Sequence, residues 1–145
     1  MKPVCCDTSF LVSLYVRDAH NVAAHQLLSS LNGPLTLSLF NQFEFEQALR
    51  YMAWRNLLTA QDVAQCQAAF AVDCNLGRLV VVHSNVASIL NEARRLSAKH
   101  TMSEGHRTLD ILQVAAALHL GATDFLTFDA GQRKLARTEG LKVRP

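Results

Sequence analysis

The chain has little of what marks several common protein classes. Its 145 residues include only four cysteines, and no two of them form a Cys-x-x-Cys pair. We expect these cysteines to be reduced, with the adjacent Cys5 and Cys6 in a buried strand. No apolar run approaches the roughly 20 residues that span a bilayer, and the N-terminus lacks the segments of a signal peptide. We therefore expect a soluble, cytoplasmic protein with no membrane partner.

Positive and negative charges are nearly balanced in this chain. The formal net charge is +2 at pH 7, which is too small to indicate a nucleic-acid-binding protein by itself. Half of the residues are hydrophobic and 18% are charged, which excludes a disordered chain and leaves apolar surface for a partner. The length suits one core, so we expect a single domain over residues 1–145.

Short β-branched runs alternate with longer helical patterns along the chain. The predicted strands are residues 3–6, 35–38, 79–82, 125–128 and, at an edge, 141–143. Helices are predicted between the first two strands, up to residue 31. One predicted helix follows the second strand and runs through residue 54, and another starts at residue 59. Three more cover residues 85–99, 108–120 and 132–138. We expect residues 101–107 to form a mobile loop. This alternation predicts an α/β fold with a mostly parallel sheet that helices cover on both faces.

Four carboxylates lie beside or within apolar stretches that should be buried: Asp7, Glu44, Asp110 and Asp129. Asp7 and Asp129 each follow a predicted strand, and ligands of open parallel sheets bind beyond the carboxyl ends of the strands. Glu44 lies in the helix after the second strand, and Asp110 lies at the start of a later helix. All four side chains are therefore candidates for one crevice.

Converging carboxylates need a partner. At a separation of about 4 Å, two carboxylates repel by roughly 4 kcal/mol at an effective dielectric constant near 20. Protonation or a divalent metal relieves that repulsion, and oxygen ligands suit Mg²⁺, with Mn²⁺ as the alternative. Such an ion orients a phosphodiester and activates water, so the acids predict phosphate chemistry that needs no histidine base.

Neighbouring polar side chains are candidates for supporting roles: Ser9, Asn41, Gln113 and Thr127. Asn41 shares a helical face with Glu44, and Gln113 lies one turn beyond Asp110. Glu46 faces the opposite side of its helix and is placed to pair with Arg50 at i+4, so we exclude it from the site.

Each acid also has a plain structural interpretation. Asp7 and Asp129 resemble helix N-caps, Asp110 suits the first turn of a helix, and Glu44 suits a solvated helix face. The histidines show no metal-ligand spacing, which favours surface or core roles for them. The aromatic residues between Phe40 and Trp54 suit core and oligomer contacts better than base stacking. The four acids together are stronger evidence for a shared site than any one of them alone.

Four segments together resemble a PIN domain, most closely the VapC-type toxins of bacterial toxin-antitoxin pairs. They are Asp7-Thr8-Ser9 after the first strand, Glu44 followed by Ala48-Leu49-Arg50, residues 109–117, and Leu126-Thr127-Phe128-Asp129. The resemblance covers the whole chain and implies a three-layer α/β/α fold. It also implies an endoribonuclease that depends on Mg²⁺ or Mn²⁺, with the acidic quartet at Asp7, Glu44, Asp110 and Asp129.

The same resemblance implies partners and a cellular role. It implies an RNA substrate, a homodimer, and a VapB-like antitoxin that packs in an apolar groove, for which the exposed sides of residues 10–16 and 19–31 are candidates. Cleavage of a translation-related RNA would then arrest growth. Two alternatives stay open: a catalytically silent PIN-like binding module, and a nuclease or phosphatase whose substrate is not RNA.

Overall fold

A computed structural model describes residues 2–145, which form five strands and a series of helices between them. The strands are β1 (Val4–Cys6), β2 (Leu35–Ser38), β3 (Leu79–Val82), β4 (Asp124–Leu126) and β5 (Lys142–Arg144). The helices are α1 (Thr8–Tyr15), α2 (Asn21–Ser30), α3 (Leu39–Trp54), α4 (Ala60–Asn75), α5 (Val86–Leu96), α6 (Met102–Glu104), α7 (Thr108–His119) and α8 (Ala130–Thr138). Among these helices, none is both long enough and apolar enough to cross a membrane.

The strands form one sheet in the order β3-β2-β1-β4-β5, and each pairing in it is parallel. At the centre of the sheet, Cys6 of β1 pairs with Leu126 of β4, so these two strands end level with each other. Because all strands run the same way, their carboxyl ends lie along one edge of the sheet. The prediction of a mostly parallel sheet is confirmed.

Two apolar cores lie on opposite faces of the sheet. Successive strand residues point to opposite faces, so Cys5 and Phe125 pack in one core, while Cys6 and Leu126 pack in the other. Helices α1 to α4 cover the second core, and α5, α7 and α8 cover the first. This is the predicted three-layer α/β/α arrangement. The four cysteines are free, and Cys5 and Cys6 are buried as expected.

Polar side chains fix where several helices begin. Thr59 and Asp62 form a reciprocal capping box at the start of α4, with hydrogen bonds of 2.8 and 3.0 Å. Asp7 and Asp129 cap α1 and α8. At the end of α7, Gly121 adopts φ +74°, a left-handed conformation that glycine takes without steric penalty and that turns the chain toward β4.

The predicted loop at residues 101–107 is wrong in its first half. Helix α5 continues into a π-helical turn at Ser97–Thr101 and then into α6. His100 of this turn is buried and hydrogen-bonds Glu139 at 2.7 Å, and the hydroxyl of Ser103 donates to the carbonyl of His100. Since Glu139 lies 39 residues away, local sequence gave no sign of this anchor.

Candidate active site

The four acids line one cavity of about 460 Å³ at the carboxyl edge of the sheet. Asp7 directly follows β1, and Asp129 follows β4 after a two-residue turn. Glu44 lies in the second turn of α3, the helix that starts where β2 ends, and Asp110 lies in the first turn of α7. The parallel topology therefore brings together side chains from four separate segments of the chain.

Asp7 is buried and held by three donors. The backbone N–H of Phe10 donates to its Oδ1 at 2.8 Å, and the hydroxyls of Ser9 and Thr127 donate to its Oδ2 at 2.7 and 2.8 Å. Burial raises the pKa of Asp7, these hydrogen bonds oppose the shift, and the nearby charge of Asp129 adds to it. Asp7 is thus fixed in position, but its hydrogen bonds do not fully offset the cost of burying its negative charge. A cation would therefore stabilise its ionised form.

Asp110 and Asp129 lie on neighbouring helix starts. The backbone N–H of Gln132 donates to Asp129 Oδ1 at 2.8 Å, and the side-chain amide of Gln132 donates to the carbonyl of Asp110 at 3.3 Å. Burial raises the pKa of Asp110, Arg107 opposes the shift, and the charge of Asp129 adds to it. Arg107 approaches Asp110 to 3.6 Å, yet its own side chain is 86% exposed, so this pair is weakly held.

Glu44 is held by a network of buried amide and hydroxyl groups. The hydroxyl of Thr8 donates to Glu44 Oε1 at 3.0 Å, and the amide of Gln113 donates to both Thr8 and Glu44. Gln113 is in turn fixed by the Asn41 amide, which donates to its Oε1 at 2.6 Å and to the carbonyl of Cys6 at 3.1 Å. This network ties α3 and α7 to the end of β1 and limits the freedom of the Glu44 carboxylate.

The donor chemistry of the cavity fits a hard divalent cation, because five carboxylates line it, those of the four predicted acids and of Asp18, and burial disfavours the ionised forms of Asp7 and Asp110. In residues 2–145, however, no three His, Cys, Asp or Glu side chains are grouped closely enough to form a complete metal site. Mg²⁺ usually keeps several waters and binds through one or two carboxylates, so the cavity does not need a closed protein cage to hold it.

The cavity contains most of the residues expected from the sequence. The four acids, Ser9 and Gln113 line it, whereas Asn41 and Thr127 lie behind it and act through Gln113 and Asp7. Glu46 lies instead in a groove between α3 and α4, where Arg50 approaches it to 3.7 Å. The N-cap interpretations of Asp7 and Asp129 are also correct, so each residue both starts a helix and faces the cavity.

The cavity is also lined by residues that the sequence did not assign to it, including Thr8, Asp18, His20, Arg107 and Gln132. Thr8 adjoins Asp7, and Arg107 stands three residues before Asp110, so adjacency to the acids was a usable signal for both. His20 had no such signal, because only the folded chain brings it to the cavity.

Replacing Ser9 with alanine is expected to raise the pKa of Asp7 further, since the Ser9 hydroxyl is a donor that favours the ionised carboxylate. Ser9 is exposed and helical, so the fold should be unaffected. Carboxyl-carbon NMR titration of metal-free protein measures the shift, with Ser30→Ala as a control on another exposed helical serine. An Asp7 pKa that stays the same or falls in Ser9→Ala would contradict this electrostatic description.

The family model of the PIN domain matches residues 4–138, and the chain therefore belongs to the PIN domain family. Nuclease activity, a hydrolytic reaction, is the activity that this family implies, and PIN nucleases generally use divalent metal ions. No curated protein sequence matches the chain significantly.

Several solved structures share the fold over nearly the whole chain. VapC20 of Mycobacterium tuberculosis, a toxin described as cleaving the sarcin-ricin loop, has a TM-score of 0.71 at 20% identity, covering 98% of this chain and 99% of that one. VapBC2 of Rickettsia felis, bound to promoter DNA, has a TM-score of 0.66 at 17% identity, with 97% and 96% covered. VapBC-1 of Haemophilus influenzae has a TM-score of 0.64 at 19% identity, also with 97% and 96% covered. At these identities the similarity establishes the fold.

Proposed function

We propose that the protein is an endoribonuclease that depends on Mg²⁺ or Mn²⁺ and acts as the toxin of a toxin-antitoxin pair. The observation that supports this most strongly is that Asp7, Glu44, Asp110 and Asp129 line one cavity at the carboxyl edge of a PIN-domain sheet. Hydrolysis of a phosphodiester forms a bond from water oxygen to phosphorus and breaks the bond to the leaving oxygen, which takes up a proton.

The four carboxylates are the residues that would hold the metal ion. When bound, such an ion would supply Lewis-acid stabilisation of the negative charge that develops on the phosphodiester. Ser9 and Thr127 keep the carboxylate of Asp7 facing the cavity, and Asn41 with Gln113 does the same for Glu44. Each hydrogen bond restrains a carboxylate before substrate arrives, which is the preorganisation that catalysis requires.

Arg107 is the residue best placed to bind a substrate phosphate. Its guanidinium lines the rim of an otherwise acidic cavity and is largely exposed. Because its ion pair with Asp110 is long and solvated, the guanidinium is free to turn toward a bound phosphate and donate hydrogen bonds to it.

The toxin role and the partners are supported by the structural neighbours. VapC20 is described as a toxin that cleaves the sarcin-ricin loop, and other neighbours are toxin-antitoxin complexes, one of them from Klebsiella pneumoniae. By extension, we propose that this chain forms a homodimer and binds a VapB-like antitoxin. Cleavage of a translation-related RNA would inhibit growth until the antitoxin binds.

Helix α3 exposes large aromatic side chains that such partners could cover. Phe43 is 65% exposed and Trp54 is 75% exposed, and Trp54 packs against the half-exposed Tyr51. By contrast, most apolar side chains of α1 are buried, and Val22 is the large exposed one on α2. The expected groove along residues 10–16 and 19–31 therefore has fewer exposed large apolar side chains than α3.

A substrate panel tests the proposed reaction. Purified protein is incubated with single-stranded RNA, the matching DNA and a phosphomonoester, each with Mg²⁺ or Mn²⁺ and with EDTA. We expect internal cleavage of RNA that stops in EDTA, with little turnover of the other two substrates. Preferred cleavage of DNA or of the phosphomonoester would overturn the RNA assignment, and no turnover of any substrate would favour the binding module.

A further inference from the structure

Three aromatic rings stack from the core to the rim of the acidic cavity. Phe10 is fully buried and stacks on Phe128, with ring centroids 5.6 Å apart. The imidazole of His20 lies almost parallel to Phe128, at 4.2 Å and an interplanar angle of 8°. Phe128 is partly buried and His20 is exposed. This column of three rings, Phe10, Phe128 and His20, is therefore anchored in the core by Phe10 and reaches the protein surface at His20.

The exposed His20 ring is held by this stacking rather than by the helix it begins. His20 is the N-cap residue of α2, but its side chain makes no capping hydrogen bond. Its backbone N–H donates to Asp18 at 2.9 Å, which fixes the main chain. The orientation of the imidazole ring is then set by its stacking on Phe128. One face of the His20 ring is therefore covered by Phe128, while the residue as a whole is exposed to solvent.

The column is coupled directly to the acids. Phe128 lies between Thr127, whose hydroxyl holds Asp7, and Asp129, whose backbone N–H donates to that same hydroxyl at 3.0 Å. His20 and Phe128 both line the cavity that contains the four carboxylates. Any group stacked on His20 is therefore held at the rim of the proposed cleavage site.

The acidity of the cavity indicates what such a group should be. Carboxylates repel the phosphates of RNA, whereas a nucleobase is uncharged and has an aromatic face. Unpaired RNA bases commonly stack on His and Phe side chains, and this stacking tolerates different sequences. Stacking of a base would therefore add binding free energy that offsets the electrostatic repulsion between the carboxylates and the RNA phosphates.

We propose that His20, supported by Phe128, is a stacking platform for one unpaired base of single-stranded RNA next to the phosphodiester to be cut. This rests on the proposed ribonuclease function and adds to it a substrate-positioning residue. The spacing of the histidines in the sequence had assigned His20 no such role.

Binding without cleavage tests the platform first. A set of single-stranded RNAs with 2-aminopurine at successive positions is titrated with protein in EDTA, and the quenching of the fluorescent base reports stacking. We expect strong quenching at one position with wild type, and in His20→Ala the loss of that quenching with affinity about tenfold weaker. His20→Phe should restore both, and His119→Ala, a control on an exposed histidine at the far end of α7, should change neither.

Steady-state cleavage provides the second measurement. Loss of a contact made equally in the ground and transition states raises KM and leaves kcat nearly unchanged, and we expect this pattern in His20→Ala. Phe128→Leu, which keeps an apolar side chain but removes the ring, should reproduce it in part. Thermal unfolding of each variant separates these effects from loss of fold.

The outcomes distinguish the platform from the ribonuclease function. If wild type cleaves RNA but quenching, affinity and KM are the same in His20→Ala, the platform is wrong and the proposed function stands. If wild type shows position-specific quenching that depends on His20 but cleaves no RNA with any metal, the platform is supported as an RNA-binding feature and the proposed function fails.

Discussion

Replacing Asp7 with asparagine is expected to reduce RNA cleavage by about a hundredfold or more, because loss of a carboxylate that we propose to bind the metal would remove transition-state stabilisation worth several kcal/mol. The fold should survive, since asparagine caps helices as well as aspartate does and can still accept the hydrogen bond from the Phe10 N–H. The measurement is the initial rate of cleavage of a defined RNA with Mg²⁺ and with Mn²⁺.

Asp62→Asn is the matched control for this change. Asp62 is a partly exposed residue at the start of α4, and asparagine can keep its hydrogen bond with the Thr59 N–H. Its cleavage rate should equal that of wild type. Wild-type activity in a correctly folded Asp7→Asn protein would remove Asp7 from the catalytic site.

The stability of Asp7→Asn has a pH dependence that follows from burial. Because burial raises the pKa of Asp7 in the folded protein, its contribution to stability is complete below its unfolded pKa and is lost as pH rises through the raised folded pKa. Asparagine does not titrate. In metal-free protein, the free energy of unfolding of Asp7→Asn relative to wild type should therefore increase from acid to neutral pH, as urea denaturation can measure.

Replacing Glu44 with glutamine is expected to lower cleavage by at least roughly 10- to 100-fold, the range typical for groups that only orient the ligands of a metal ion. The amide of Gln113 and the hydroxyl of Thr8 both donate to the Glu44 carboxylate, so an uncharged side chain keeps the shape but loses the charge at that position. The measurement is kcat and KM for the same RNA, with folding checked by thermal unfolding.

Glu46→Gln provides the control within the same helix. Glu46 is two residues away, faces the groove between α3 and α4, and pairs with the exposed Arg50. Such an exposed pair contributes little to stability, so both activity and fold should be unchanged. If instead Glu46→Gln lost activity and Glu44→Gln kept it, the helical register inferred for this acid would be wrong.

Much of the fold follows from local patterns in the sequence. The β-branched run at Leu79–Val82 marks one strand, and the apolar residues before Asp7 and Asp129 mark strands that end one and three residues before these acids. A parallel sheet aligns its carboxyl ends, so the convergence of Asp7 and Asp129 could be predicted from the order of strands and helices alone. Sequence periodicity also separated Glu44 from Glu46.

The parts that could not be predicted depend on contacts distant in sequence. Gln113 binds Asn41 across 72 residues, and Thr127 binds Asp7 across 120. Ser103 and Gly105 suggested a loop, yet the distant Glu139 holds this region as a helical turn through His100. The stacking of His20 on Phe128 is of the same kind, since neither residue's local pattern points to the other.

Cleavage of total cellular RNA by purified, antitoxin-free protein tests whether Asp7, Glu44, Asp110 and Asp129 form a metal-dependent ribonuclease site. Reactions with Mg²⁺ or Mn²⁺ are compared with an EDTA control and with Asp7→Asn. We expect discrete fragments that require the metal and are absent with the variant. Intact RNA in every reaction with well-folded wild type, or identical fragments from wild type and Asp7→Asn, would contradict this assignment.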